Sequence, residues 1–389
     1  MKVALVTEWL DAWRGGAETS TLQFMHHVMD AGVELHVFTR SRPSPAPGLH
    51  VHTISGARMS RTRQSATFAT RVDRIVRADA FDVVHAISPC RCADVYQPRG
   101  GTVAETIERN VALRAPGAAR TLKRCAVRFN VKQRYLLSME RKLLGQDAGP
   151  IVVAISEYVC RQLKRHYALP DERIRKIYNG VDPDPTPSAE RERNRAEIRG
   201  TYGIGSDDLA ILLVAHNFRL KGVHRWMEAQ RRLLQRFGDG LRSIVVGKGD
   251  SARWHRLAER NGLTAHLALA GPTSRVRTFY HAADVLVHPT YYDPCSRVVL
   301  EAMVSGLPCI TTRWDGAAEM ITDGINGYVL DRPDDIDALV DRVERLRDPA
   351  LRHRLGRAAS KTVDRVAMHR HAAEVLDLYD SVAAAGALR

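Results

Sequence analysis

The sequence predicts an α/β protein made of two doubly wound, Rossmann-like domains facing each other across a cleft. Three observations lead there. Apolar runs of four to six residues recur along the chain, separated by stretches with helical spacing; strands of a buried parallel sheet alternate with their crossover helices in this way. The length, 389 residues, suits two ordinary cores better than one. Residues 179–187 read Asn-Gly-Val-Asp-Pro-Asp-Pro-Thr-Pro, with three prolines and a glycine. Such a segment can continue neither a helix nor a central strand, so it divides the chain.

Taken in order, the first domain covers residues 1–178. It opens on a strand at 3–7, followed by a loop carrying Gly15-Gly16 and a helix over 18–30 that Gly32 ends. Further buried strands at 34–39, 82–86 and 151–155 supply the rest of its sheet, and residues 174–178 lead into the linker. After the linker at 179–187, the second domain spans 188–365 and starts with a charged helix at 190–199. Its strands fall at 210–215, 243–246, 267–270, 284–288 and 308–312. Residues 363–385 form one more helical pattern, carrying Val366, Val375, Leu376, Leu378 and Val382. From about 366 to 385 this helix can pack back on the first domain. Ligands of such sheets bind outside the carboxyl ends of the strands, and the fold alone does not name a reaction.

Hydrophobic residues make up 44% and aromatic residues only 6%, so aliphatic side chains fill the cores. The net charge of +14 and isoelectric point near 9.8 point to an acidic partner: a phosphate-rich ligand, an anionic membrane surface or nucleic acid. The excess is concentrated. Residues 109–142 hold ten Lys and Arg against one acid, Glu140, which reads either as a solvated helical face or as a docking surface for anions. Six cysteines show no C-x-x-C spacing. Cys90-Arg-Cys92 would put two thiols on one face of a strand, but without neighbouring ligands the pair reads as inert thiols. The amino terminus runs directly into a core strand, with no cleavable signal, and no apolar run approaches the roughly 20 residues of a membrane span. A cytoplasmic protein with reduced cysteines is the expectation.

The most informative segment runs from His288 to Pro308. Asp293 and Glu301 are separated by seven residues, and the chain between them should turn into a helix near Ser296 that ends about Gly306. Asp293 then lies in the loop and Glu301 inside the helix. The backbone N–H groups of Cys295, Ser296 and Arg297 would point out of the helix start, where unsatisfied donors and the helix dipole attract a diphosphate. Carboxylates suit sugars, because each oxygen accepts from vicinal hydroxyls. A second segment, Asn217-Phe-Arg-Leu-Lys-Gly222, follows a strand. Its Arg219 and Lys221 could neutralise a pyrophosphate as a sugar bond breaks. A third, Gly15-Gly16-Ala-Glu, would allow close backbone approach to a phosphate or sugar, or make a simple tight turn.

The acid-x7-Glu spacing with its Ala-Met-x-x-Gly-x-Pro continuation resembles the signature of retaining family-four glycosyltransferases, which have the GT-B architecture. The resemblance implies that Glu301 grips the ribose hydroxyls and that Asp293 contacts the transferred sugar; Asp stands where the family more often has Glu, and the shorter arm bears on sugar choice. It implies that Arg219 and Lys221 face the pyrophosphate and that Gly15 and Gly16 lie in the loop facing donor and acceptor. Loops 246–250 and 271–276, with Lys248 and Val276, look like those that enclose the base. The run from Ala93 to Gly101 is similar to the lipopolysaccharide-core glucosyltransferase branch. There Asp94 would match an acid beside the reacting sugar, and His85 a histidine near the donor's sugar or else a core histidine.

The implied activity is a retaining, metal-independent hexosyltransferase. It would move a hexose, with glucose on UDP as the expected donor, to a glycan or glycolipid such as lipopolysaccharide core, with the nucleotide sugar as substrate and no cofactor. The resemblance also gives the segment 109–142 a role on the anionic inner face of the cytoplasmic membrane, with Leu113, Leu122, Val127, Phe129, Val131, Leu136 and Leu137 as its apolar component. Asp182-Pro-Asp184 resembles an Asp-x-Asp metal site of another architecture, but it sits in the proline-rich linker and is assigned no metal. Two rival readings remain. A UDP-sugar 2-epimerase of the same fold would make product without an acceptor. A nucleic-acid-binding protein would need a recognisable module or aromatic residues interleaved with the basic run as a stacking surface, and the sequence shows neither.

Overall fold

The computed structural model describes residues 1–11, 15–43, 46–54, 60–114, 117–249 and 251–387. Asp250, from the expected base-enclosing loop, and residues 115–116 of the basic segment lie outside them. The chain divides into two compact units, Met1–Asp182 with Val366–Arg389, and Pro183–Arg365.

The first unit is built on β1 (Lys2–Val6), β2 (Glu34–Thr39), β3 (Leu49–Thr53), β4 (Val83–Ala86), β5 (Val95–Tyr96), β6 (Ile151–Ala154) and β7 (Ile174–Lys176). They form one parallel sheet in the order β3-β2-β1-β4-β5-β6-β7. β1 from Val3 and all of β4 are buried without alternation, as in strands covered on both faces, and His85 is the one polar residue among them. The helices are α1 (Gly16–Asp30), α2 (Arg61–Ala78), α3 (Val103–Ala112), α4 (Ala118–Phe129), α5 (Val131–Leu144) and α6 (Glu157–Tyr167). Local chemistry sets several of their starts: the side chains of Thr102, Asn130 and Ser156 each accept from a backbone N–H of the first turn of α3, α5 and α6.

The second unit contains α7 (Ser188–Thr201), β8 (Leu209–Val214), α8 (Val223–Phe237), β9 (Leu241–Val246), α9 (Ser251–Arg260), β10 (Leu267–Gly271), α10 (Val276–Ala282), β11 (Val285–Val287), α11 (Arg297–Val304), β12 (Cys309–Thr312), β13 (Gly327–Leu330), α12 (Ile336–Arg345) and α13 (Pro349–Ser360). Its parallel sheet runs β10-β9-β8-β11-β12-β13. Ile211, Val245, Val287 and Ile310 of the strands pack on Trp226 of α8 and Leu339 of α12, all buried. The Trp226 indole donates to Ser243 Oγ at 3.0 Å, which satisfies its polar edge inside the core.

The helical pattern at 363–385 is interrupted. α14 (Val363–Val366) stops at Ala367, which forms a bridge with Val181, and α15 (Met368–Ala387) starts anew. Met368, Val375 and Tyr379 of α15 pack with Phe24 of α1 and Val83 of β4 in the core of the first unit. The linker acids are taken up locally. Asp182 lies 3.2 Å from His27 Nε2, and Asp184 lies 2.8 Å from His281 Nε2 and 3.3 Å from Arg191. Cys90 and Cys92 sit at a turn after β4, where the sequence suggested a strand, with their sulfurs 3.9 Å apart.

Candidate active site

In the second sheet, β9 and β10 lie on one side of β8, while β11, β12 and β13 lie on the other. The switch in winding direction therefore falls between β8 and β11, where the carboxyl ends of strands leave an opening for ligand. The loop after β8 carries Arg219 and Lys221, and the loop after β11 carries Asp293. The two loops are zipped together. Tyr291 N donates to Leu220 O at 2.9 Å, and Thr290 Oγ1 donates to the same oxygen at 3.3 Å. Gly222, the residue before α8, has φ of +70°, and a Cβ there would come 2.1 Å from the Pro289 carbonyl oxygen. Only glycine allows this approach.

The result is a cation–carboxylate pair. Lys221 Nζ donates to the Asp293 carboxylate and, at 3.2 Å, to the Tyr292 carbonyl. Burial is the largest influence and works to raise the Asp293 pKa, but Lys221 and His288 together outweigh it and hold the carboxyl below its ordinary range. His288, buried at the foot of the same loop, acts from 3.9 Å, too far for a hydrogen bond. Arg219 is half-buried on the Lys221 loop.

Asp293 leads into α11. Cys295 N donates to Asp293 Oδ1 at 3.2 Å, and Ser296 N donates to Asp315 Oδ1 at 3.0 Å. Two of the three N–H groups expected to face a diphosphate are thus turned onto carboxylates. The Ser296 hydroxyl also donates to Asp315, as do Thr311 Oγ1 at 2.9 Å and Ala317 N at 2.9 Å. Burial, and after it the charge of Asp293, raises the Asp315 pKa. Inside α11, Glu301 accepts from Arg297 Nη2 at 2.7 Å and from Tyr280 OH at 2.9 Å. Arg297 and Glu301 are one turn apart, so the pair is local to the helix; Tyr280 comes from α10, whose first residue is Val276.

Lys248 is exposed on the loop after β9. The neighbouring Gly247 has φ of +130°, and a Cβ there would come 1.9 Å from the Ala215 carbonyl oxygen, which ties this loop to the one after β8. Arg219, Lys221, Lys248, Val276, Asp293, Cys295, Ser296, Arg297 and Glu301 all lie on loops or helix starts, or in the helix, following the carboxyl ends of strands in this one sheet. Asp315, His288 and Tyr280 are additions that the sequence reading missed.

Gly15, Gly16, His85 and Asp94 belong to the first unit. Gly15 and Gly16 open α1 after β1, next to the switch point between β1 and β4. Asp94 departs from expectation, and of the two places open to His85 the structure gives the core. His85 is wholly buried: its Nδ1 lies 2.5 Å from Tyr379 OH, and its ring packs edge-on against Phe24. It has no surface to offer a sugar, and it is a core residue. Burial, with Arg99 and His371 nearby, keeps it neutral. Asp94 precedes β5, at the amino end of that strand and away from the ligand-binding edge. Its carboxylate accepts from Val84 N at 2.8 Å, and its carbonyl from Ile151 N at 2.9 Å. Asp94 caps the sheet and is not placed to assist at a reacting sugar.

Paired doubly wound sheets, with an acid and a lysine joined at the switch point of one of them, define a class. Residues 14–185 match the family model described as Glycosyltransferase Family 4, and residues 194–362 match that of Glycosyl transferases group 1. The chain belongs to this family: it is a glycosyltransferase of GT-B architecture. It is similar to the lipopolysaccharide glucosyltransferase WaaG of Escherichia coli, with 24% identity over 82% of each chain. It is also similar to the D-inositol 3-phosphate glycosyltransferase of Nocardiopsis dassonvillei, with 25% identity over 96% of this chain and 91% of the relative. Among solved structures, WaaG superposes with a TM-score of 0.82 at 22% identity, covering 97% of this chain and 99% of that one. Anabaena HepE in complex with UDP and glucose gives 0.71 at 16% identity, over 98% and 100%.

Proposed function

We propose that this glycosyltransferase is a retaining, metal-independent hexosyltransferase that moves glucose from UDP-glucose to a glycan or glycolipid acceptor of the lipopolysaccharide-core type. The Lys221–Asp293 pair at the switch point between β8 and β11 carries the reading. The relatives support its finer terms, since one is named a lipopolysaccharide glucosyltransferase and another is solved with UDP and glucose.

In this reading Lys221 and Arg219 take the diphosphate, Asp293 accepts from hydroxyls of the sugar, and Glu301 accepts from the ribose. Lys248 and Val276 flank the base, and Gly15 and Gly16 give the first unit's loop room beside donor and acceptor. The bond between the anomeric carbon and the diphosphate oxygen breaks, and a bond from that carbon to an acceptor oxygen forms on the same face. The acceptor proton passes to the departing phosphate oxygen, so no protein nucleophile is needed. Fixed cations beside the leaving group lower the barrier by stabilising charge that grows in the transition state. No cofactor enters; the nucleotide sugar is a substrate. Since Ser296 N and Cys295 N already meet carboxylates, donor binding involves exchange of these contacts as well as direct phosphate capture.

The acceptor side adds a location: the cytoplasm, peripheral on the inner face of the cytoplasmic membrane. Supporting this, α4 has no buried residue, and Leu122, Phe129 and Val131 are 73%, 81% and 66% exposed within the basic segment 109–142. Among the described residues, no helix is long and apolar enough to cross a membrane.

The test is a panel of nucleotide sugars, scored first by thermal shift and hydrolysis and then by acceptor screening with the preferred donor. Selective stabilisation by UDP-glucose and acceptor-dependent release of UDP are expected. Conversion of the nucleotide sugar alone into an epimer would refute transfer.

A further inference from the structure

The β2–β3 end of the first sheet holds a cluster of imidazoles that sugar transfer does not use. Glu34 and His36 are two residues apart on β2 and so share a face. His50 on β3 is the register partner of His36, and His52 that of Phe38, which brings both β3 imidazoles to the same face. The His36 and His50 rings stack with centroids 4.5 Å apart and an interplanar angle of 20°. His36 Nε2 lies 2.9 Å from Glu34 Oε1, and His36 Nδ1 lies 3.0 Å from His52 Nε2. One ligand atom each from Glu34, His36 and His50 falls within 4.8 Å of the others.

We infer that Glu34, His36 and His50 form a binding site for a divalent transition-metal ion of the zinc type, separate from the sugar-transfer site. Two imidazoles and a carboxylate are the donor set that suits zinc, nickel, copper or cobalt over magnesium or calcium. His52 supplies the outer contact that such sites use: with Nδ1 of His36 held by the second imidazole, Nε2 is the atom left for metal. Glu34 and His50 are exposed while His36 is buried, so an ion arriving from solvent meets two exposed ligands and one set in the protein. The neighbouring cation, Lys2, is drawn aside by Asp79 at 2.9 Å and lies over the Phe81 ring. Zinc–nitrogen bonds of about 2.0–2.1 Å require the stacked rings to swing together, which side-chain rotation at the exposed His50 allows. Glu34 is the first residue of β2, so the site is at the amino end of the strands, away from the edge that holds Gly15. A bound ion would clip the edge strand β3 to β2.

The full chain, stripped of metal by a chelator, is titrated with Zn2+ and with Co2+. One equivalent of Zn2+ should bind and raise the melting temperature, and Co2+ should develop visible absorption bands. His50→Ala and Glu34→Gln should each weaken binding at least ~10-fold, whereas His353→Ala, at an exposed histidine of α13, leaves it intact. Circular dichroism of each variant separates lost ligands from lost fold. Absence of a one-equivalent event overturns the inference. So does binding that survives both substitutions, or that disappears instead with Cys92→Ser, which would move the ion to the Cys90, Cys92 and Asp73 cluster.

Discussion

Asp315 accepts the backbone N–H of Ser296 at 3.0 Å, so a carboxylate from the loop after β12 occupies the amino end of the helix that holds Glu301. The same carboxylate takes the Ser296 hydroxyl, Thr311 Oγ1 and Ala317 N. Oδ1 takes two backbone N–H groups, which can only donate, so Asp315→Ala leaves both of them and the two hydroxyls without their buried acceptor. The expected loss is ~3 kcal/mol of stability, read as a lower denaturation midpoint with an unchanged slope.

Lys221 has a different part in the proposed reaction, where its charge would face the departing diphosphate. Lys221→Ala should reduce kcat/KM for transfer by orders of magnitude, about 3 kcal/mol for a lost transition-state contact. Lys221→Arg should recover little, since a planar fork does not reproduce a point charge. Near-normal turnover of Lys221→Ala would remove it from the machinery.

Gly222→Ala tests the seam between the two site loops. A methyl group 2.1 Å from the Pro289 oxygen, on a backbone with φ of +70°, forces the loops apart. About 3 kcal/mol of destabilisation is expected, with a loss of turnover at temperatures where the variant is still folded. Calorimetry and initial rates on one preparation check both.

His224 gives the second unit a pH dependence. Burial, reinforced by Arg225, Arg219 and Arg253, lowers its pKa from 6.5 to about 4. Between those values the unfolded chain binds a proton that the folded chain refuses, so stability falls as pH drops through this window. The loss from this group approaches ~3 kcal/mol at the acid end. His85, buried and lowered as well, acts with the same sign. His224→Phe preserves the stacking on Tyr291 and should flatten the decline in melting temperature between pH 6.5 and 4.

The basic segment makes a prediction about surfaces. Co-sedimentation with vesicles containing anionic lipid should exceed that with neutral vesicles and weaken with salt. Leu122→Ser with Phe129→Ser should reduce it while leaving soluble-donor hydrolysis unchanged. Equal binding to neutral and anionic vesicles would rule the segment out as an anionic-membrane anchor.

The sequence exposes the second unit's site because that site is largely written in continuous segments. Asp293 and Glu301 sit on one strand–loop–helix passage, so their spacing is already a geometry, and Lys221 precedes its glycine in the same way. The partnership of Asp315 with Ser296 joins segments nineteen residues apart through the closing of the sheet, which no local pattern records. Asp94 and His85 are harder to place. A four-residue strand buried on both faces gives no alternation to say which side chain points inward, and the resemblance along the run from Ala93 to Gly101 does not say at which end of the two-residue β5 Asp94 falls. β3 is hard to read because it is an edge strand of histidines and exposed residues, and β5 because it spans only two residues. The break at Ala367 depends on a bridge to Val181, which the whole second unit separates from it in sequence, so the helical pattern through it looks continuous.

The packing of α15 against α1 and β4 has a consequence for the order in which the molecule is made. Residues 183–365 form an uninterrupted stretch, so that unit can be finished as soon as it leaves the ribosome. The unit begun first must wait for Met368, Val375 and Tyr379 before Phe24 and His85 are covered. The earlier unit is therefore the later one to mature, and its unfinished apolar face needs protection while the remaining chain is translated.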